Sequence, residues 1–272
     1  REVVIGDEQY KVTGEGYDPK GTFEGGGNTR DLRFTLLMKA ASLCNNAVLE
    51  RSGVSVGGYF RRMAKGRAAP AWSIMGDPTE GALLVMAAKA GFWRERLEQS
   101  EPRLAELPFD SERKRMTVLH KLPDGKIAAY IKGAPDSIVE LCTHTYRGGV
   151  AVPLSPEDKR AILAHNEMMA EKALRVLAFA YRELPANMKE FHEEEVEQKL
   201  VFLGLAGMID PPRPAAIEAV KTCHRAGIKV VMMTGDHPLT AKAVARELGI
   251  LDGGNVLTGH DIDRLSDKQL RE

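Results

Sequence analysis

Cysteine, net charge and long apolar runs are all scarce in this chain, and each scarcity removes a class of explanation. The three cysteines (Cys44, Cys142, Cys223) lie far apart, and no pair has zinc-ligand spacing; they read as reduced, buried thiols. The 38 basic and 38 acidic side chains cancel, so no long-range field draws the chain toward nucleic acid or an anionic membrane surface. No apolar run approaches the roughly 20 residues that span a bilayer; the longest, Val201 to Ile209, has strand length. Arg1 to Asp7 turns polar at once, unlike a secretory leader. No Gly-x-x-x-x-Gly-Lys-[Ser/Thr] occurs, which excludes a Walker-type phosphate loop. What remains is 272 residues, long enough for one large domain or two of ordinary size, with sufficient apolar content for real cores.

Residues 1–29 alternate short apolar stretches with turn chemistry and predict a strand pair and a loose connection. Leu32, Leu36, Leu37, Ala40, Leu43 and Ala47 fall at helical spacing, predicting a helix within 29–50. Residues 52–71, with Gly57-Gly58 and four basic side chains, read as a surface excursion. Gly76-Asp77-Pro78-Thr79-Glu80 is a helix start: Asp77 as N-cap, Pro78 at the first helical position, Glu80 completing a capping-box pattern. Pro123-Asp124-Gly125 between Met116–Lys121 and Lys126–Lys132 predicts a hairpin, and Pro135-Asp136 opens another helix. Ser155-Pro156 begins a helix to about Ala173; Arg175–Tyr181 and Val201–Met208 read as buried strands. From Asp210 the order is helix (214–226), strand (228–233), helix (238–248) and a short strand near Val256, which implies a parallel sheet. The expected class is α/β: a mixed α+β domain over 1–204, with an antiparallel sheet and helices, then a partial doubly wound domain over 205–272.

Several clusters carry chemistry. Tyr130-Ile131-Lys132-Gly133-Ala134-Pro135 brings a lysine to a strand end beside a helix N-terminus, an anion site in outline. Pro108-Phe109-Asp110-Ser111-Glu112-Arg113-Lys114-Arg115 offers an aromatic face for a base and cations for phosphates. Each has a plainer reading, a solvated lysine in one case and a core phenylalanine with a solvated charge run in the other. Ile228–Met233 running into Thr234-Gly235-Asp236-His237-Pro238 sets a hydroxyl, a flexible backbone and a carboxylate at a strand's C-terminal end, where ligands bind in open α/β sheets.

With Gly207-Met208-Ile209-Asp210-Pro211-Pro212-Arg213, Lys-Gly-Ala-Pro at 132–135 and Asp77-Pro78-Thr79-Glu80-Gly81-Ala82, these motifs stand in the order found in P-type ATPases, the ATP-driven cation pumps. The chain resembles their nucleotide-binding domain plus part of the phosphorylation domain, and looks most like bacterial calcium pumps. The resemblance implies that Phe109 stacks on adenine, Lys132 and Gly133 line the adenine pocket, and Glu80 accepts from the adenine amine, favouring ATP over GTP. The alternative for Glu80 is to close its capping box. Arg175 is implied as a phosphate partner, or else as a structural ion pair, and Leu177 as pocket wall. Animal-type calcium pumps often carry an arginine two residues after the phenylalanine; Ser111 stands there, leaving Arg113 or Lys114 to supply the charge. Thr234 and Gly235 resemble the phosphoryl-holding residues of haloacid-dehalogenase-like folds; Asp236 is implied to lie near nucleotide and magnesium, and Asp210 to open a hinge segment.

The family's Asp-Lys-Thr-Gly-Thr run, which carries the phosphorylated aspartate, and its later Thr-Gly-Asp-Gly-x-Asn-Asp motif are both missing. The chain therefore reads as the middle of a larger protein: it would bind ATP, with Mg2+ in the full pump, without turning it over. Its expected partners are the rest of the phosphorylation domain, the actuator and transmembrane domains, and its place the cytoplasmic face of a membrane. Two rivals are a soluble haloacid-dehalogenase-like phosphatase, which should carry its own Asp-x-Asp, and a non-catalytic interaction module.

Overall fold

The computed structural model describes residues 1–14, 16–51, 72–172, 174–209, 214–234, 238–251, 256–262, 264–266 and 269. They form two compact units, Arg1–Asn166 with Val176–Met208, and Glu167–Arg175 with Ile209–Glu272.

The first unit opens with an antiparallel meander, β1 (Glu2–Ile5), β2 (Glu8–Val12) and β3 (Phe23–Glu24). Helix α1 (Leu32–Leu43) follows, then a separate two-stranded sheet, β4 (Val48–Arg51) with β5 (Trp72–Met75), and helices α2 (Pro78–Lys89) and α3 (Arg94–Ser100). A second meander comprises β6 (Arg103–Asp110), β7 (Arg115–Lys121) and β8 (Ile127–Gly133). After it come α4 (Pro135–Leu141), β9 (Cys142–Arg147), β10 (Val150–Pro153), α5 (Pro156–Glu171), β11 (Arg175–Leu184), the short α6 (Glu193–Val196) and β12 (Leu200–Met208). The main sheet runs β3-β2-β1-β12-β11-β8-β7-β6, with β9 also on β12 and β10 on β9. The β9–β12 pairing is parallel; β1–β12, β11–β8 and both meanders are antiparallel. This is a mixed α/β unit built on a largely antiparallel sheet.

Local chemistry explains most boundaries. Asp77 caps α2, its side chain accepting from the amides of Thr79 and Glu80 at 2.8 and 3.1 Å, with Pro78 inside the first turn. The β7–β8 hairpin turns on Gly125 at φ +88°, and Asp124 accepts from Lys126 N at 3.0 Å. The helix expected within 29–50 is shorter, because Asn45 takes over at its end. The Asn45 amide donates to Ala41 O and to Glu80 O at 3.1 and 2.9 Å, and its Oδ1 accepts from Ala47 N at 3.0 Å. The chain then extends into β4. The stretch around Leu107-Pro108-Phe109 lies in β6, the last strand in the order, where a proline costs no ladder bond; the register slips between Leu107 and Asp110.

Helices α1 and α2 cover one face of the sheet. Phe34, Leu37, Leu43, Leu83 and Met86 pack with Val3, Tyr10, Val118, Tyr130, Phe179 and Leu203 in one core. All of β8 is buried, and its sequence is apolar from Ile127 to Ile131 before Lys132. α4 contacts β8 and β12.

In the second unit α7 (Pro214–Arg225), α8 (Pro238–Glu247) and α9 (Gly259–Ile262) are formed. The strands expected at 228–233 and near Val256 are not: residues 228–233 and, of the second stretch, the described residues 256–258 lack regular structure, and Ile228, Val231 and Met233 are exposed. A strand requires a neighbour for its amides and carbonyls, and among the described residues 209–272 supply none. The surface excursion expected at 52–71 lies outside the described residues. Among the described residues, no helix is long and apolar enough to cross a membrane.

Candidate functional site

Successive side chains of a strand alternate between faces. On β8 this puts Ala128, Tyr130 and Lys132 on the face covered by α1 and α2, and the core claims Ala128 and Tyr130. Lys132 continues the series as a cation, only 7% exposed. A buried ammonium requires a counter-charge. Glu80, in the first turn of α2, provides it, with Lys132 Nζ donating to Oε1 at 2.6 Å. Glu80 Oε2 accepts from Asn46 N at 2.9 Å, and its backbone carbonyl from Asn45 Nδ2. Asp77 supplies the N-cap of α2, and the Glu80 carboxylate faces Lys132 and Asn46.

The turn between β6 and β7 is stiffly built. Asp110 Oδ1 accepts from the amides of Glu112 and Arg113, each at 2.9 Å, and Lys114 N closes onto Asp110 O at 2.7 Å. The amides of Arg113 and then Glu112 hold the Asp110 carboxyl below its usual range. Lys114 sits in the left-handed region at φ +53°. Its carbonyl accepts from Ala134 N at 3.0 Å. Gly133 is required here: a Cβ would lie 2.6 Å from both Lys114 O and Arg115 Cβ. The register Arg115↔Gly133 and Met116↔Lys132 thus presses the Lys-Gly-Ala-Pro strand end against the turn.

Two of the exposed side chains at this turn, an aromatic ring and a cation, bear on binding. Phe109 is 64% exposed, unusual for a ring next to a core strand. Lys114 is exposed, with only a loose pairing to Asp136 at 3.7 Å. Arg113, the other cation considered, is occupied: Nη1 donates to both Glu197 oxygens at 2.8 Å and Nη2 to Pro108 O at 2.7 Å. Leu177 is half-buried against the core, one residue before the Ala178 that pairs with Gly133. The structure thus brings Glu80 to Lys132, and Lys114 to Gly133. Arg175 is exposed and belongs to the second unit, as does the exposed Thr234. Asp210, Gly235 and Asp236 lie outside the described residues. Among the described residues no group of three His, Cys, Asp or Glu is assembled to hold a metal, so the expected Mg2+ is given no ligand set here.

A family described as P-type ATPase, cytoplasmic domain N, has a sequence profile that matches residues 33–215. The chain belongs to this family. It is 37% identical to Calcium-transporting ATPase 1 of Lactococcus lactis subsp. lactis, over 87% of this chain and 25% of that protein. It is 39% identical to the Calcium-transporting ATPase of Bacillus subtilis, over 98% of this chain and 29% of that protein. Cation-transporting ATPase pma1 of Synechocystis is 40% identical, over 93% and 27%. The chain spans little more than a quarter of the length of these relatives.

The domain N match takes in Glu80, Phe109, Lys114, Lys132, Gly133, Arg175, Leu177 and Asp210, while Thr234, Gly235 and Asp236 fall beyond it. Two groups around this domain N site escaped the sequence reading. Asn45 and Asn46 fall inside the helix expected within 29–50, with no role of their own there, yet they bind both the backbone and the carboxylate of Glu80. Glu197 ends the acidic run His192-Glu193-Glu194-Glu195-Val196-Glu197, to which the sequence assigns no role, yet its side chain is 1% exposed. No local sequence signal separates it from its exposed neighbours.

Proposed function

We propose that this domain N chain is the ATP-binding part of a P-type pump that couples ATP hydrolysis, through an aspartyl-phosphate, to the transport of a cation, calcium by the names of its relatives. The observation that carries the reading is the water-exposed Phe109 on the same turn as the exposed Lys114, a turn clamped to the Lys132-Gly133 strand end. A ring free on one face stacks a base, and a cation nearby balances phosphate. Glu80 reads the adenine amine, Lys132 and Leu177 wall the pocket, and Arg175 meets phosphate. Residues 1–204 form the nucleotide-binding domain; 205–272 are a partial phosphorylation domain in which Asp210 opens the hinge segment and Thr234, Gly235 and Asp236 serve phosphoryl transfer together with a phosphorylated aspartate and Mg2+. The chain lies at the cytoplasmic face of a membrane, with the actuator and transmembrane domains as partners in the same polypeptide.

Calorimetric titration with ATP and then GTP tests this. ATP is expected to bind and GTP to bind markedly more weakly. Phe109→Ala is expected to leave the fold intact and weaken ATP by roughly 1–3 kcal/mol, about five- to 150-fold. No ATP heat from the folded chain refutes the binding reading. Sustained hydrolysis lost in Asp236→Asn would refute the prediction of binding without turnover.

A further inference from the structure

We infer that Glu197 is a positioning residue for nucleotide binding, setting the β6–β7 turn and, through it, Phe109. The inference rests on the ATP-binding reading above. Glu197 is 3% exposed, and its carboxylate takes four hydrogen bonds. Arg113 Nη1 reaches both oxygens at 2.8 Å; Arg115 Nε reaches Oε2 and Thr117 Oγ1 reaches Oε1, each at 2.6 Å. Arg113 and Arg115 flank Lys114, so one buried carboxylate fixes both sides of the exposed cation.

The consequence for Phe109 runs through Arg113. With Nη1 held on Glu197, Arg113 turns Nη2 to the carbonyl of Pro108, the residue immediately before Phe109, at 2.7 Å. Arg115 Nη1 donates to Arg113 O and to Ser137 Oγ, and Ser137 Oγ donates to Arg113 O at 2.9 Å, which ties the same turn to the first turn of α4. Phe109 itself is 64% exposed, so packing does little to set its ring. Its placement depends on the backbone at Pro108, and that depends on an arginine whose other end is anchored by Glu197. A carboxylate taking four hydrogen bonds from three donors fixes a guanidinium plane far more firmly than water does. With Gln, the neutral amide oxygen accepts fewer of these bonds and its NH2 faces Arg113 or Arg115 as a second donor, so the fork is released.

The test is a double-mutant cycle on ATP affinity, by calorimetry on the full chain, among wild type, Glu197→Gln, Phe109→Ala and the double variant. Wild-type binding of ATP checks the underlying reading separately. Glu197→Gln is expected to weaken ATP about tenfold, and to weaken it no further once Phe109 is already alanine, because its effect passes through that ring. A purely structural role would lower affinity by the same factor in both backgrounds. If Glu197→Gln unfolds, Thr117→Val, which removes one of the four bonds, is taken through the same cycle with a smaller expected loss. Equal ATP affinity in wild type and the variant, or full additivity with Phe109→Ala, overturns the inference.

Discussion

Replacing Lys132 by methionine keeps most of the side chain's volume and deletes its charge. At 4 Å, unit charges attract by about 4 kcal/mol at an effective dielectric of 20, but desolvation of both groups offsets much of that, so the pair as a whole contributes little net stability. Removing one partner is different, because a carboxylate is left buried without its counter-charge, typically at about 3–5 kcal/mol. Glu80 is discounted from that range. Its side chain is 16% exposed and its Oε2 keeps the Asn46 amide. Lys132→Met should therefore cost about 2 kcal/mol, Glu80→Gln about 1–2 kcal/mol, and the double variant less than the sum by at least about 1 kcal/mol. Urea unfolding followed by tryptophan emission is well suited to this, since Trp72 and Trp93, the two tryptophans of the chain, lie together in the first unit with ring centroids 5.8 Å apart. Additive single costs, or a Lys132→Met midpoint indistinguishable from wild type, would refute the argument that burial makes Lys132 depend on Glu80.

Gly133→Ala should destabilise the first unit by roughly 1–3 kcal/mol and weaken ATP, because the new Cβ meets backbone at Lys114 O, and backbone yields less readily than a side chain; a midpoint unchanged in urea would contradict it. His120 is buried, its Nδ1 2.7 Å from Glu101 O, and burial lowers its pKa despite that contact. With the folded pKa below the unfolded value of 6.5, the unfolded state takes the proton first. Stability should be fully present above about pH 6.5 and fall as the pH drops below it toward the folded pKa, a slope that His120→Gln should flatten in urea titrations across pH 5–8. Burial pushes the thiols of Cys44 and Cys142 up to about 11 and about 12, whereas Cys223 is partly exposed. A thiol-disulfide reagent at pH 7.5 should therefore label one cysteine promptly and the other two only in denaturant; two or more fast labels would contradict the burial.

What sequence revealed and what it hid divide by range. The α2 start is legible because Asp77, Pro78 and the amides that Asp77 serves lie within four residues, and the β7–β8 hairpin because Asp124-Gly125 fixes its own turn. Lys132, Phe109 and Lys114 stood out because each belongs to a short motif. The partner of Lys132 lies 52 residues away and that of Arg113 84 residues away, and neither separation leaves a local mark. The same limit explains the helix cut short at Asn45, whose amide is claimed by Glu80 O, 35 residues on. Residues 228–233 have the composition of a strand, but composition does not supply a neighbouring strand.

The Glu80–Lys132 pair also bears on how one carboxylate can serve both a lysine and adenine. A design in which adenine displaced Lys132 would leave an ammonium uncompensated in a buried site, at a cost the neutral adenine amine could not offset. A carboxylate, however, offers about four lone-pair sites, and the hydrogen bonds from Lys132 and the Asn46 amide occupy one on each oxygen. On the proposed reading the adenine amine is therefore an added donor to Glu80 rather than a replacement for Lys132. The guanine carbonyl, an acceptor in the same place, would face a carboxylate already committed to two donors and would find no proton there. The ion pair then holds Glu80 in place before nucleotide arrives, so that little side-chain freedom remains to be lost on binding.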